Sequence, residues 1–227
     1  MTTLERLDEG LYTASQHHSM LGLHLGARMT VAVLPGGGVF VHSPIAMTDA
    51  LRAEVDAIGP VTHIVVPNLF HHVYAGPWIA AYPEAITHAP RGMRKKRPDL
   101  RVDEELGAQA HADWEGALVP HSIEGCMLGE TVFVHPASRT VVSVDLLENF
   151  TTSAHWPTRQ YLKVAGIHGR PGWSRLLRPL YRDRRAARRS VDALLEHEFD
   201  KVIVAHGDIV RGAGPDAVRQ TFEGWLR

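Results

Sequence analysis

The chain has a single cysteine, Cys126, in 227 residues. That excludes an intramolecular disulfide and any zinc site built on thiolates. Cys126 is expected as a small, buried apolar residue. Long apolar runs are also missing: none approaches the ~20 residues that a membrane-spanning helix needs. The opening Met1-Thr2-Thr3-Leu4-Glu5-Arg6 has neither the basic nor the apolar block of a secretory signal, so a cytoplasmic protein with no membrane partner is expected. Internal repeats, low-complexity tracts and a flexible linker are absent too. With 44% hydrophobic and 22% charged residues, disorder and coiled coil are excluded as the main state. A chain of this length is expected to form one domain over residues 1–227, burying roughly 70% of its unfolded surface.

Histidine is in excess, at 15 residues, and basic charge is clustered. Residues 91–101 and 170–189 together hold 14 of the 24 lysines and arginines. Arg178, Arg182, Arg185 and Arg189 follow helical spacing and are expected to form one stripe. The stripe reads as a solvated face, with an anion-binding surface as the alternative. Little aromatic interleaving and no nucleic-acid module accompany it, so nucleic acid ranks low as a partner.

Apolar runs and their punctuation predict the elements. Residues 29–34 form a strand that turns at Pro35-Gly36-Gly37-Gly38 into a partner at 39–41. Residues 48–58 form a helix capped by Thr48 or Asp49 and stopped by Gly59-Pro60. Strands follow at 64–66, 85–87, 117–119, 131–134, 140–144 and 201–205, with helices at 76–81, 183–199 and 216–226. Residues 148–181, with two Trp, three Pro and three Gly, show no period and are expected to be a cap or lid. Strands alternating with helices, and two hairpin-like clusters among them, predict an α/β fold with mixed sheets.

Five apolar runs end on, or just before, groups that bind metals: His42, the pair His71-His72, His121, Asp145 and His206. Strand ends at one sheet edge are where α/β proteins gather ligands on a rigid scaffold. Imidazoles and a carboxylate suit zinc, iron or manganese. His88 and His135 also follow apolar runs but have no place in this constellation. Successive side chains on a strand point to opposite faces, so His71 and His72 can serve together only from a loop or a helix start.

In this order the residues resemble the metallo-β-lactamase fold, from about Met29 to Ile209. A Gly-turned hairpin, a strand–helix–strand, a histidine cluster ahead of Ala75-Gly76, a strand ending in Asp145 and the terminal Ala205-His206-Gly207-Asp208 carry the resemblance. It is nearest an uncharacterised bacterial branch sharing His42-Ser43-Pro44, Pro67-Asn68 and His71-His72. The resemblance implies a four-layer αβ/βα sandwich with two mixed sheets and metals at the seam between them. The family's His-x-His-x-Asp-His stretch is here Asn68-Leu69-Phe70-His71-His72. Asn68 and Phe70 stand where two histidines of the first metal would be. By the same resemblance His71, His72, Asp145 and His206 hold the second metal, and His121 is the middle histidine of the first. The first site is degenerate, which implies one metal rather than two.

His42 and Ser43, with Asn68, are expected behind the ligands, orienting them. Asp145 and His121 are the catalytic candidates. Glu124 reads as a solvated loop residue, with a general base as the alternative. Trp156, His168 and Trp173 in the capping segment are candidate pocket residues. The expected cofactor is one divalent ion, zinc first and iron or manganese next. The expected activity is metal-dependent hydrolysis of a small molecule, an anion among the candidates, by water activated on that ion. The competing readings are a non-catalytic binder of small anions and a mononuclear iron oxygenase. Substrate, bond class and oligomeric state are not readable from these residues.

Overall fold

The strands alternate in what they bury, and the alternation sorts the core into three spaces. The computed structural model describes residues 2–107 and 109–226. Its larger sheet runs β1 (Glu5–Asp8), β2 (Leu11–Gln16), β3 (Ala27–Val33), β4 (Val39–His42), β5 (Val61–Val65), β6 (Ile86–Ala89) and β7 (Glu104–Glu105) in that order. The first four pair antiparallel; β4 to β7 pair parallel. The smaller sheet runs β8 (Val119–Ser122), β9 (Thr131–His135), β10 (Thr140–Val142) and β11 (Lys201–Ile203), antiparallel except for the parallel β10–β11 pair. Both sheets are therefore mixed.

Period-2 patterning puts neighbouring residues on opposite faces. Phe40, Val65, Phe133, Val142 and Ile203 meet between the sheets, with Trp114 beside them. Their neighbours Val39, Val41 and Ile64 face outward on the larger sheet. There they pack on helices α1 (Asp49–Asp56), α2 (Ala75–Ala81) and α3 (Met93–Lys96), through Leu51, Val55, Trp78 and Met93. On the smaller sheet Val132, Val134, Val141 and Val202 face α5 (Arg184–Leu194) and α6 (Gly214–Phe222), through Val191, Leu194, Val218 and Phe222. Helix, sheet, sheet, helix is the four-layer sandwich that the residues implied. Thr48 caps α1 as expected, accepting the Leu51 amide at 3.1 Å.

Three expectations need correction. Residues 117 and 118 turn rather than extend, because a 3₁₀ turn at Ala112–Trp114 runs into them and β8 begins at Val119. The arginine stripe does not exist as one face. Arg178 lies in a separate 3₁₀ turn with its guanidinium over Trp225, and Arg182 precedes Asp183, which caps α5. Residues 148–181 are not periodless throughout. It contains α4 (Trp156–Ala165), opened by Pro157 in its first turn and ended by Gly166 at φ +80°. Helix α4 rests Leu162 and Ala165 on Leu25 and Phe150, beside the small ribbon of Ser19–Met20 and Leu23–His24. No helix among the described residues is long and apolar enough to cross a membrane.

Candidate metal centre

The C-terminal ends of the parallel pairs β4–β5 and β10–β11 aim at the same seam, and four loops deliver the site there. His71 lies in the turn between β5 and α2, Asp145 just beyond β10, and His206 just beyond β11. Their ligand atoms all lie within 4.8 Å of one another. Asp145 Oδ1 is 3.4 Å from His71 Nε2 and 3.5 Å from His206 Nε2. Two ligands bound at ~2.1 Å to one tetrahedral ion are ~3.4 Å apart. The donor set fits a divalent metal of the zinc class.

The outer atoms of the three groups are each held. Ser43 Oγ lies 2.9 Å from His71 Nδ1, and the Gly26 carbonyl accepts from His206 Nδ1 at 2.9 Å. Asn68 Nδ2 donates to Asp145 Oδ2 at 2.7 Å. Holding the distal nitrogen fixes an imidazole's tautomer and turns its other lone pair inward. Ser43 does this from a left-handed backbone at φ +52°, which is strained for a serine and is held by its amide bond to the Val65 carbonyl at 2.9 Å. Beyond His206, Gly207 sits at φ +88°, where a Cβ would collide with the Asn149 carbonyl.

The charges are coupled. Burial alone would raise the Asp145 carboxyl, but His71, His206 and the Asn68 amide together hold it below its ordinary value. Burial opposes the His71 imidazolium, yet Asp145 outweighs it and the net direction is upward. Burial takes His206 downward despite Asp145. Glu130, buried beneath the site, accepts the Val144 amide at 2.9 Å and the Asp145 amide at 3.1 Å, and so sets the turn that presents Asp145. Burial first and Asp145 second push Glu130 upward.

The site opens into a cavity of about 260 Å³. Leu21, Leu23, Leu25, Phe70, Leu128 and Leu177 are part of its apolar wall, and among the described residues no lysine or arginine lines it. Two of its residues hold buried polar atoms without a hydrogen-bond partner: Glu148 Oε2 and Trp173 Nε1. Burial, then the charge of Asp145, pushes Glu148 up to about 8, so its carboxyl is neutral at neutral pH.

Several candidate residues lie elsewhere. His72 turns away from its neighbour, and Arg97 Nη1 sits 2.9 Å from its Nδ1. In an irregular turn adjacent side chains diverge, and this one is drawn to the basic end of α3. His121 is not at the seam: its Nε2 donates to the Ser190 carbonyl of α5 at 2.6 Å, on the outer face of the smaller sheet. The His42 side chain hydrogen-bonds to none of the described residues. Both its ring nitrogens are unpartnered, its ring packs edge-on to Phe133, and burial takes it down to about 3. It cannot orient a ligand by hydrogen bonding, whereas Ser43 does. Trp156 is 63% exposed, and exposed His168 pairs its backbone with Phe150 outside the cavity. Only Trp173 of the three lid candidates lines it. Glu130, Glu148 and the Gly26 carbonyl escaped the sequence reading. Nothing local marks them, although a glutamate three residues after Asp145 was there to be seen.

A family model described as a domain of unknown function, DUF4336, matches residues 8–92. No curated protein matches the sequence. Among solved structures the chain is similar to the DIM-1 metallo-β-lactamase exposed to ceftazidime, at 14% identity and TM-score 0.68, covering 98% of this chain and 96% of that one. It is also similar to the metallo-β-lactamase FIM-1 from Pseudomonas aeruginosa in its mono-zinc form, at 13% identity and TM-score 0.67, over 99% of this chain and 96% of that one. A metallo-β-lactamase from Hirschia baltica gives 12% and 0.65, over 97% and 96%. The chain has the metallo-β-lactamase fold.

Proposed function

We propose that the chain is a metal-dependent hydrolase working with one divalent ion, zinc in the first place, on a small molecule with an apolar arm. The observation that carries this reading is the inward set of His71 Nε2, Asp145 Oδ1 and His206 Nε2, pinned from behind and opening into an apolar cavity. A divalent ion bound there supplies a Lewis acid and an acidified water. FIM-1, one of the structurally similar lactamases, was solved in a mono-zinc form. Asn68 and Phe70, standing where the family has histidines, favour the same count here.

The chain's own groups divide the remaining work. Asp145, His71 and His206 hold the ion. The apolar wall excludes water around the substrate and strengthens every polar contact inside. Trp173 Nε1, a donor with no partner, is free to bond a substrate oxygen. Glu148 keeps a proton to give to the leaving group. With no lysine or arginine among the described residues of the lining, a neutral acyl compound such as an ester, thioester or lactone suits the cavity better than a multiply charged anion.

The test is a survey of zinc-loaded protein against esters, thioesters, lactones, amides and phosphoesters, with His206→Ala alongside. Turnover that disappears with His206→Ala and with chelation supports the reading. Tight zinc binding without turnover in any class would favour the binding protein instead. Retained iron with oxygen consumption would favour the oxygenase.

A further inference from the structure

A second group of histidines lies apart from the seam cavity, on the inner face of the larger sheet near its β6–β7 edge. His63 of β5 and His88 of β6 are 0% and 1% exposed, and both rings pack on Trp114. They stand in a chain of contacts between two carboxylates. Glu104 Oε2 is 3.5 Å from His88 Nδ1, His88 Nε2 is 2.9 Å from His63 Nδ1, and His63 Nε2 is 3.2 Å from Asp113 Oδ2. His111 closes the group. Its Nδ1 accepts the Asp113 amide at 3.2 Å and lies 3.6 Å from Asp113 Oδ2.

Two neutral imidazoles bring one N–H each, and ionised carboxylates bring none. If His63 and His88 spend theirs on Asp113 and on each other, His88 Nδ1 is left as a lone pair facing the Glu104 carboxylate at 3.5 Å, a contact with no hydrogen bond in it. An extra proton would place a full charge on a ring buried against Trp114, which is costly. A cation between His63 Nε2 and Asp113 Oδ2 frees a hydrogen for the Glu104 contact. His63 then keeps its proton on Nδ1 for His88, and His88 keeps its own on Nδ1 for Glu104. Imidazole ligands of metals are oriented in this way, through the distal N–H.

We propose that His63, His111 and Asp113 form a second metal site, separate from the seam, for a divalent ion of the zinc class. Their ligand atoms all fall within 4.8 Å of one another. His63 Nε2 and Asp113 Oδ2, 3.2 Å apart, stand near the ~3.4 Å expected of two ligands on one tetrahedral ion, and His111 joins them by exchanging the Asp113 amide at its Nδ1 for the ion. Two imidazoles and a carboxylate would leave one position for water, and His111 lines a neighbouring cleft of about 360 Å³ together with His88, Glu104 and Trp114. The ion cross-links the 3₁₀ turn at Ala112–Trp114 to the middle of the larger sheet. Its work is therefore structural, and it does not depend on the seam site's chemistry.

Zinc counting on the full chain separates the two sites. The Asp145→Asn/His206→Ala chain, stripped and reloaded with zinc, should retain about one equivalent and melt higher with zinc than without. Adding Asp113→Asn and His111→Ala should remove both the equivalent and the thermal shift. A zinc-free Asp145→Asn/His206→Ala chain would overturn the proposal. Should that variant not fold, Asp113→Asn alone serves, because its side chain is 59% exposed. It must cost about one equivalent relative to the unmodified chain, and an unchanged count refutes the site. Nitrogen-15 spectra of the histidine rings give a second reading. An imidazolium at His63 or His88 that persists in excess zinc means that a proton, not a metal, fills the chain.

Discussion

Asn68 binds the site at both ends of its amide: its Nδ2 donates to Asp145 Oδ2 at 2.7 Å, while its Oδ1 accepts the backbone amides of Phe70 at 2.8 Å and His71 at 2.9 Å. One side chain thus fixes the orientation of the carboxylate and the turn that carries the neighbouring imidazole. Asn68 is the brace between two of the three groups of the candidate metal centre.

Asn68→Ala should therefore loosen both partners. It strands two amides and one carboxylate oxygen in a buried setting, a loss of about 2–3 kcal/mol. Zinc affinity should fall with it. Asn68→Asp keeps the acceptor but faces the already ionised Asp145 with a second carboxyl, so its deficit should grow from pH 4 to pH 7 as the new group ionises. Urea unfolding at the two pH values checks this. An Asn68→Asp deficit independent of pH would show that the Asn68–Asp145 contact does not carry the effect.

The pH dependence of the metal-free chain gives a second expectation, through Glu148. Burial raises its carboxyl to about 8 from 4.5. Between those values the unfolded chain has released the proton and the folded chain still holds it. The folded state is thus favoured at low pH, and this contribution is lost as pH rises from about 4.5 to about 8. Glu148→Gln removes the titration. Relative to the unmodified chain it should gain roughly 2–4 kcal/mol between pH 5 and pH 8. Parallel stability profiles for the two proteins would mean that Glu148 is solvated in the folded state.

What the sequence made legible was whatever periodicity and strand ends encode. Val39, Phe40 and Val41 alternate between two cores as a period of two requires. Asp145 and His206 meet because each follows a parallel strand whose end faces the seam. His72 failed because its direction is set by Arg97, a contact from α3 that no local spacing announces. The placement of His121 depended on which face of β8 met α5, and a strand end by itself says nothing of the face. His63 lies within its strand, where a search of strand ends does not reach, and His88 follows an apolar run but nothing near it in sequence pairs it with His63. Glu130 and Glu148 become unusual only when long-range packing buries them.

Arg28 carries the last prediction. From β3 on the larger sheet its Nη1 donates to the Val204 carbonyl and its Nη2 to the Gly207 carbonyl at 2.9 Å, while its Nε reaches Ser15 Oγ at 3.1 Å. The two carbonyls flank His206, so one guanidinium ties that loop of the smaller sheet to the larger one. Burial lowers the Arg28 pKa, and Asp208 partly restores it, but the group stays charged. Arg28→Ala leaves both carbonyls without a donor, and should cost about 2–3 kcal/mol. Arg28→Lys keeps the charge but lacks the planar fork that reaches both acceptors, so it should rescue less than half of the loss. If the clamp positions His206, zinc affinity at the seam should fall in Arg28→Ala and recover only in part in Arg28→Lys. A destabilised Arg28→Ala with unaltered zinc affinity would show that the clamp joins the sheets without setting the ligand, and that the Gly26 carbonyl alone aims His206.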